Sequence, residues 1–332
     1  MTTDLVAALN ETAQRVNVFL GDMLSVQRPE ELYRGSRHLV EAGGKRLRPF
    51  IALESCKLVG GDAEKALPIA AAVELIHNFT LVHDDIMDMD HMRRGVPTVH
   101  VIYGIPLAIN AGDLLFVKAY EAALRSYSKD IPLRKILRAL EVLTETTIAI
   151  CEGQAMDMAF EKRDDVSEEE YMEMIEKKTA ALLVASAEAG AIVGSGSVRD
   201  VRRLGRAMRA SGLAFQIVDD VLGVTADEKV LGKPVGNDIR EGKRTLIVLH
   251  SLKHAGKRQR ETLLKALGNK DATPEEIENA IETLKSTGSI DYAIRKAGVL
   301  NRRAKRELEG FPPSETRDLL VTLVDYIVAR DR

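Results

Sequence analysis

Cysteine is nearly missing from this chain: only Cys56 and Cys151 occur among 332 residues. They stand far apart and form no CxxC pair, which excludes a disulfide framework. Both lie in apolar periodic segments, so two small buried thiols are expected. Proline is scarce too, at 10 residues, while 45% of the chain is hydrophobic. That composition supplies a substantial core and excludes a bias toward disorder. Neither sign of charge dominates, since 47 basic against 50 acidic residues leave a net charge of −3, a balance that argues against general nucleic-acid binding. The stretch from Ala180 to Gly194 is interrupted by Glu188 and falls short of the roughly 20 residues that a bilayer span needs. The opening Met1-Thr2-Thr3-Asp4 has neither the basic start nor the apolar core of a secretory leader. A reducing cytoplasm and no membrane span are therefore expected.

What is present is helical periodicity. From Leu67 to Asp88 the chain is mostly apolar, has no glycine, and carries Pro68 at its start, where a missing N–H is tolerated. Such a helix belongs deep in a bundle. The same spacing predicts helices over 4–24, 28–42, 48–60, 112–128, 132–160, 168–193 with a break near Lys178, 198–223, 243–267, 274–285, 288–308 and 314–330. Ser167 with Glu170, and Thr273-Pro274 with Glu276, resemble helix-starting capping boxes. No alternating strand pattern of useful length competes. Three irregular segments remain, at 43–49, 91–106 and 225–243, and charged loops of this kind are where binding groups collect.

Asp84, Asp85 and Asp88 arrive late in the apolar helix. Their spacing puts Asp84 and Asp88 one turn apart on one side. Like charges there repel each other and the negative end of the helix dipole, a penalty that a divalent cation removes. Oxygen ligands without a histidine or cysteine set favour Mg2+ over Zn2+, with water and phosphate oxygens completing the octahedron. A solvated acidic helix end is the plain alternative. A second apolar segment, 211–220, repeats the design and ends in Asp219-Asp220, with Gln216 able to share their face. If two such helices faced each other, they would enclose a low-dielectric cavity between carboxylate clusters.

Basic residues follow the same loops: Lys45 and Arg48, Arg93 and Arg94, Lys233 and Lys243. Each taken singly is also readable as a solvated surface charge. Together they suit a diphosphate, which arginine grips with a planar fork and lysine as a movable point charge, while Mg2+ bridges it to carboxylates that would otherwise repel it. The spacing GxxxxGK[ST] of a P-loop is absent, as are GxGxxG and GxSxG.

These residues resemble the trans-isoprenyl diphosphate synthases, especially the short-chain geranylgeranyl and farnesyl diphosphate synthases. GGKRLRP, LVHDDIMDMDHMRRGVPTVH, GDLL, GQAMD, KTAAL, FQIVDDVLG and GKPVGNDIREGKRT occur in the family's order between about Arg37 and Thr245. The resemblance implies an all-α bundle around a deep central cavity, one domain over 1–332, usually homodimeric. It implies condensation of isopentenyl diphosphate with allylic diphosphates and three Mg2+ ions held by Asp84, Asp85, Asp88, Asp219 and Asp220. Arg93, Lys178, Lys233 and Lys243 match groups on the allylic diphosphate, and Lys45, Arg48, His77 and Arg94 match the isopentenyl diphosphate site. Thr179 and Gln216 match polar residues beside the allylic cation. Gln154 and Asp157 fit a helix–helix polar network as well as a substrate contact.

One departure is Gly223, where many farnesyl synthases carry a third aspartate; Asp238 remains available to that site. In the family, aromatic residues four and five positions before the first cluster resemble a farnesyl-length stop. Here Phe79 is large and Thr80 is small, which favours a geranylgeranyl product. Release of both C15 and C20 products, a terpene cyclase and a noncatalytic regulatory subunit are the rival expectations.

Overall fold

The computed structural model describes residues 3–226 and 235–329. The described residues are helical apart from turns and one short ribbon. In chain order the helices are α1 (Thr3–Met23), α2 (Glu30–Glu41), α3 (Leu47–Leu58), α4 (Ala63–Met87), α5 (Val99–Tyr103), α6 (Ile105–Leu124), α7 (Leu133–Phe160), α8 (Glu168–Ile175), α9 (Ala181–Val193) and α10 (Val198–Thr225). After them come α11 (Asn237–Glu241), α12 (Leu246–His254), α13 (Lys257–Ala266), α14 (Pro274–Ser286), α15 (Ser289–Glu309) and α16 (Glu315–Val328). The ribbon pairs β1 (Met92–Arg93) with β2 (Val96–Pro97), antiparallel, with Arg93 opposite Val96.

Contacts group the chain into two compact units. The first comprises Met1–Thr147, Leu182–Gly205 and Leu308–Thr322, and the second Ile148–Ala181, Arg206–Glu307 and Leu323–Arg332. In the first unit α4 is the central element, packed by α6, α3 and α1. It is the one described helix apolar and long enough to cross a membrane, and 72% of its apolar window is buried within the protein. Glycine lets its neighbours approach closely. A Cβ on Gly190 of α9 would collide with the Ala52 carbonyl of α3, and one on Gly112 of α6 would collide with the His83 ring of α4. The second unit closes around Phe160, Tyr171, Ile217, Leu246, Ile247, Ile277 and Leu284.

Local signals place most helix ends. Ser167 and Glu170 exchange both bonds of a capping box, as do Thr273 and Glu276. The expected break near Lys178 is a π-helical turn over Glu176–Ala180. Four expectations need correction. Pro68 lies inside α4, because the side chain of Asp62 accepts from the Glu64 N–H at 2.9 Å and starts the helix earlier. Segment 91–106 is ordered into the ribbon, α5 and the start of α6. The helix expected over 243–267 begins later and divides at Ala255–Gly256, where Gln259 Oε1 accepts from the Gly256 N–H at 3.0 Å. Cys56 is buried, but Cys151 is exposed on α7.

Gly190→Ala should therefore destabilise the protein by about 1–3 kcal/mol, the usual cost of overpacking a tight helix contact. A urea-unfolding midpoint equal to that of the parent would show that the α3–α9 contact is not this tight.

Candidate functional site

In the first unit the site grows from the end of α4. Asp88 is its C-cap, with its N–H bonded to the Asp84 carbonyl at 2.8 Å. Met89 then adopts φ +55°, the Asp90 N–H returns to the Asp85 carbonyl at 2.9 Å, and the Met89 N–H reaches Ile86 at 3.4 Å. This is a Schellman ending built without the usual glycine. The chain next reverses through β1 and β2 over Arg94 and Gly95, at φ +53° and +78°, the positive-φ pair of a type I′ hairpin.

That hairpin sends two arginines in different directions. Arg93 Nε donates to Asp85 Oδ1, and Arg93 Nη2 lies 3.4 Å from Asp90 Oδ2. Asp85 is 1% exposed; burial pushes its carboxyl up to about 6, against the pull of Arg93. Asp85 Oδ2 is buried without a hydrogen-bond partner. Arg94 Nη1 donates to the Leu39 carbonyl at 2.9 Å, to the Gly43 carbonyl, and to Asn78 Oδ1 at 3.4 Å. Its guanidinium rests against Gly44, so that a Cβ there would lie 3.3 Å from Arg94 Cζ.

Behind this turn, Arg48 Nη1 sits 3.2 Å from His77 Nε2. Burial, reinforced by the Arg48 charge, holds His77 well below its ordinary value. The ring is thus a neutral acceptor that orients Arg48. Lys45 is exposed beside Gly44. The structure thereby brings Lys45, Arg48, His77 and Arg94 to one loop-and-helix surface. Two residues on from His77, the Phe79 ring packs on Phe116 of α6 at 5.2 Å and on His83 at 5.3 Å, while Thr80 Oγ1 donates to the His77 carbonyl at 2.8 Å.

In the second unit Asp219 is exposed and Asp220 is buried at the end of α10. Asp220 is held on both oxygens, by Tyr171 Oη at 2.6 Å and Gln216 Nε2 at 2.8 Å. Gln216 Oε1 in turn accepts from Thr179 at 2.8 Å. Burial, with Asp238 adding repulsion, pushes the Asp220 carboxyl up to about 8. The π turn supplies Thr179 and also Lys178, whose Nζ is 2.5 Å from Asp157 Oδ2. Gly153 makes this possible, because a Cβ there would collide with the Lys178 backbone nitrogen. Asp157 thus belongs with Lys178, and the spacing of GQAMD serves both the helix contact and the polar cluster.

Gly223 also gains a physical account. Asp238 Oδ2 would lie 3.2 Å from a Cβ at that position, so the carboxylate of α11 stands beside the place where a third aspartate could have been. Burial raises Asp238 as well, with Lys243 opposing, and Lys243 Nζ pairs with Glu241 at 3.1 Å. Lys233 lies outside the described residues.

Among the described residues no three histidine, cysteine or carboxylate groups converge to enclose a metal ion. A cation that takes one or two carboxylates and completes its shell with water and phosphate oxygens suits this sparse ligation, which is the habit of Mg2+. The unpartnered Asp85 oxygen and the exposed Asp219 fit that role. Tyr171, Arg46, Glu74 and Asn78 escaped sequence reasoning. A lone acid inside an apolar helix was the available signal for Glu74.

Comparison with known proteins bears on this arrangement. A family model described as polyprenyl synthetase matches residues 29–284. The short chain isoprenyl diphosphate synthase of Methanothermobacter thermautotrophicus is 47% identical over 329 residues, 99% of this chain and 98% of the relative. The geranylgeranyl diphosphate synthase of Sulfolobus acidocaldarius is 48% identical over 87% of this chain and 86% of its own length. Among solved structures, the geranylgeranyl pyrophosphate synthetase from Pyrococcus horikoshii superposes with a TM-score of 0.93 at 47% identity, covering 99% of both chains.

The neutral state of His77 has a measurable consequence. Its folded pKa is depressed, so its contribution to stability is present above the unfolded value of about 6.5 and is lost as pH falls below it. His77→Gln should lose less thermal stability than the parent between about pH 6.5 and 5. Equal losses in the two proteins would contradict a neutral His77.

Proposed function

The chain belongs to the polyprenyl synthetase family, all-α isoprenoid synthases that use Mg2+ to build polyprenyl diphosphates by prenyl transfer, and from that premise we propose that it makes mainly geranylgeranyl diphosphate by adding isopentenyl diphosphate to dimethylallyl, geranyl and farnesyl diphosphates. The observation that carries this reading is the cationic surface around Gly43–Gly44, where Arg94 and the His77-oriented Arg48 stand beside Lys45. A cyclase, which takes no isopentenyl diphosphate, has no use for it.

Asp84, Asp85, Asp88, Asp219 and Asp220 would hold Mg2+, three ions by the family resemblance. Bound there, Mg2+ supplies positive charge for the departing diphosphate. Arg93, Lys178 and Lys243, with Lys233, bind that diphosphate and stabilise charge as it leaves. Thr179 and Gln216 are held in one orientation by the chain of bonds ending at Asp220, and by the family resemblance their oxygen dipoles would stabilise the developing allylic cation. The isopentenyl double bond attacks the allylic carbon, and the proton lost from the adduct goes to the released diphosphate, so no protein base is required.

Phe79, backed by Phe116, is the stop for the growing chain, and the small Thr80 leaves room beyond C15. The C20 product follows, with a C15/C20 mixture as the alternative. We further read residues 1–332 as one synthase domain, cytoplasmic and homodimeric. The exposed row Ile102, Ile105, Ile109 and Val117 is an apolar face that a second copy would cover.

Incubation with Mg2+, labelled isopentenyl diphosphate and separate C5, C10 and C15 primers tests the reaction; a protein that incorporates no label is not an elongating synthase. Asp84→Ala should lower turnover by about a hundredfold or more, and undiminished turnover would remove Asp84 from the site. Phe79→Ala should move the dephosphorylated products toward longer chains on chromatography. An active variant with the parental length distribution would mean that Phe79 only packs.

A further inference from the structure

Arg46 and Glu74 form a buried ion pair, with side chains 1% and 3% exposed and Nη1 to Oε1 at 2.7 Å. Buried pairs are poor stabilisers, because desolvation offsets most of the attraction and a well-packed apolar pair often serves as well. What this one does is visible in its other bonds. Arg46 Nε donates to Asn17 Oδ1 at 2.9 Å, Nη2 to the Val40 carbonyl at 2.6 Å, and Nη1 also to the Gly43 carbonyl at 3.4 Å. Glu74 Oε1 accepts a second bond from Asn78 Nδ2 at 3.1 Å. Asn78 Nδ2 also donates to the Glu74 carbonyl at 2.8 Å, and Asn78 Oδ1 faces Arg94 Nη1 at 3.4 Å.

Two arginines from opposite sides therefore meet at the Gly43 carbonyl and the final carbonyls of α2, where cations satisfy orphan acceptors. Glu74 pairs with Arg46 directly and reaches Arg94 through Asn78, and its charge offsets the repulsion between the buried Arg46 and the half-buried Arg94. Arg46 itself occupies φ +48°, a conformation that costs a non-glycine residue about 1–2 kcal/mol and that its hydrogen bonds hold. This residue sits between Lys45 and Arg48, so its placement sets the direction of both. The described bonds of Arg94 all run through Nη1, which leaves Nε and Nη2 as the donors for an anion.

We propose that Glu74 is a positioning residue for the isopentenyl diphosphate site: through Arg46 and Asn78 it fixes the Gly43–Arg48 turn and Arg94 before substrate arrives. The proposal rests on the assignment of Lys45, Arg48 and Arg94 to that substrate. Glu74 touches no reacting atom, and its effect is preorganisation of cations that would otherwise spread apart.

The test replaces the pair together, Arg46→Met with Glu74→Leu, so that no buried charge is stranded. The folded double variant should show KM for isopentenyl diphosphate raised about ten- to a hundredfold, KM for the allylic primer within about twofold of the parent, and calorimetric binding of isopentenyl diphosphate weakened by the same factor. A folded double variant with parental KM and binding for isopentenyl diphosphate overturns the proposal. Should it not fold, Asn78→Ala removes the bonds that join Glu74 to Arg94 and leaves the Arg46–Glu74 pair in place, and the same split is required of it; parental values there overturn the proposal equally. Arg48→Ala separates the two levels. If Arg48→Ala leaves isopentenyl diphosphate binding unchanged, the site assignment fails, whereas a loss there with no change in the other variants removes the frame alone.

Discussion

The cost of keeping carboxylates at the end of apolar helices organises this protein. Asp85 closes α4 with 1% of its surface exposed, at the helix end whose dipole already disfavours negative charge. Burial alone would neutralise it. The hairpin after α4 returns Arg93 to that carboxylate, and one oxygen is left with no protein donor. A carboxylate half satisfied by arginine keeps one oxygen for the cation that the proposed function would place there. The strained residues Met89 and Arg94 are explained by the same need, since a relaxed exit from α4 would not turn the arginines back.

The second unit meets the same constraint by different means. Asp220 takes neutral donors, Tyr171 and Gln216, instead of an arginine. These neutral donors orient the Asp220 carboxyl but offset its burial only in part, so it stays raised to about 8, and Asp219 beside it is exposed. The π turn belongs to this solution. One extra residue in the helix brings Lys178 to Asp157 and Thr179 to Gln216, and π turns of this kind recur at functional positions. Gly153 and Gly223 are small for a related reason, because a backbone nitrogen crowds the first and a carboxylate stands against the second.

Helix positions were legible because they rest on periodicity, and the capping boxes at Ser167 and Thr273 because they rest on residues three apart. The aspartate clusters were legible as charges that contradict their apolar setting. Tyr171 was not, since its partner is 49 residues away and nothing local distinguishes it from a core tyrosine. The ribbon after α4 escaped because its strands are two residues each, too short for alternation to show, and because Arg94 holds the first left-handed position of its turn, where asparagine or glycine is usual. Cys151 misled because it shares the apolar spacing of α7 while facing outward. In each case a tertiary contact, or the lack of one, outweighed the local pattern.

Arg46 shows how closely support and function can be interleaved. Within GGKRLRP, Lys45, Arg46 and Arg48 are chemically alike, and charge alone cannot rank them. Their surroundings separate them: Lys45 faces solvent, Arg48 is oriented by a neutral imidazole, and Arg46 is enclosed with Glu74. A diphosphate needs cations held close together before it binds, and cations so held repel. Glu74 resolves that conflict by placing a negative charge behind the surface, where it can neutralise the frame without occupying the face that the substrate would approach.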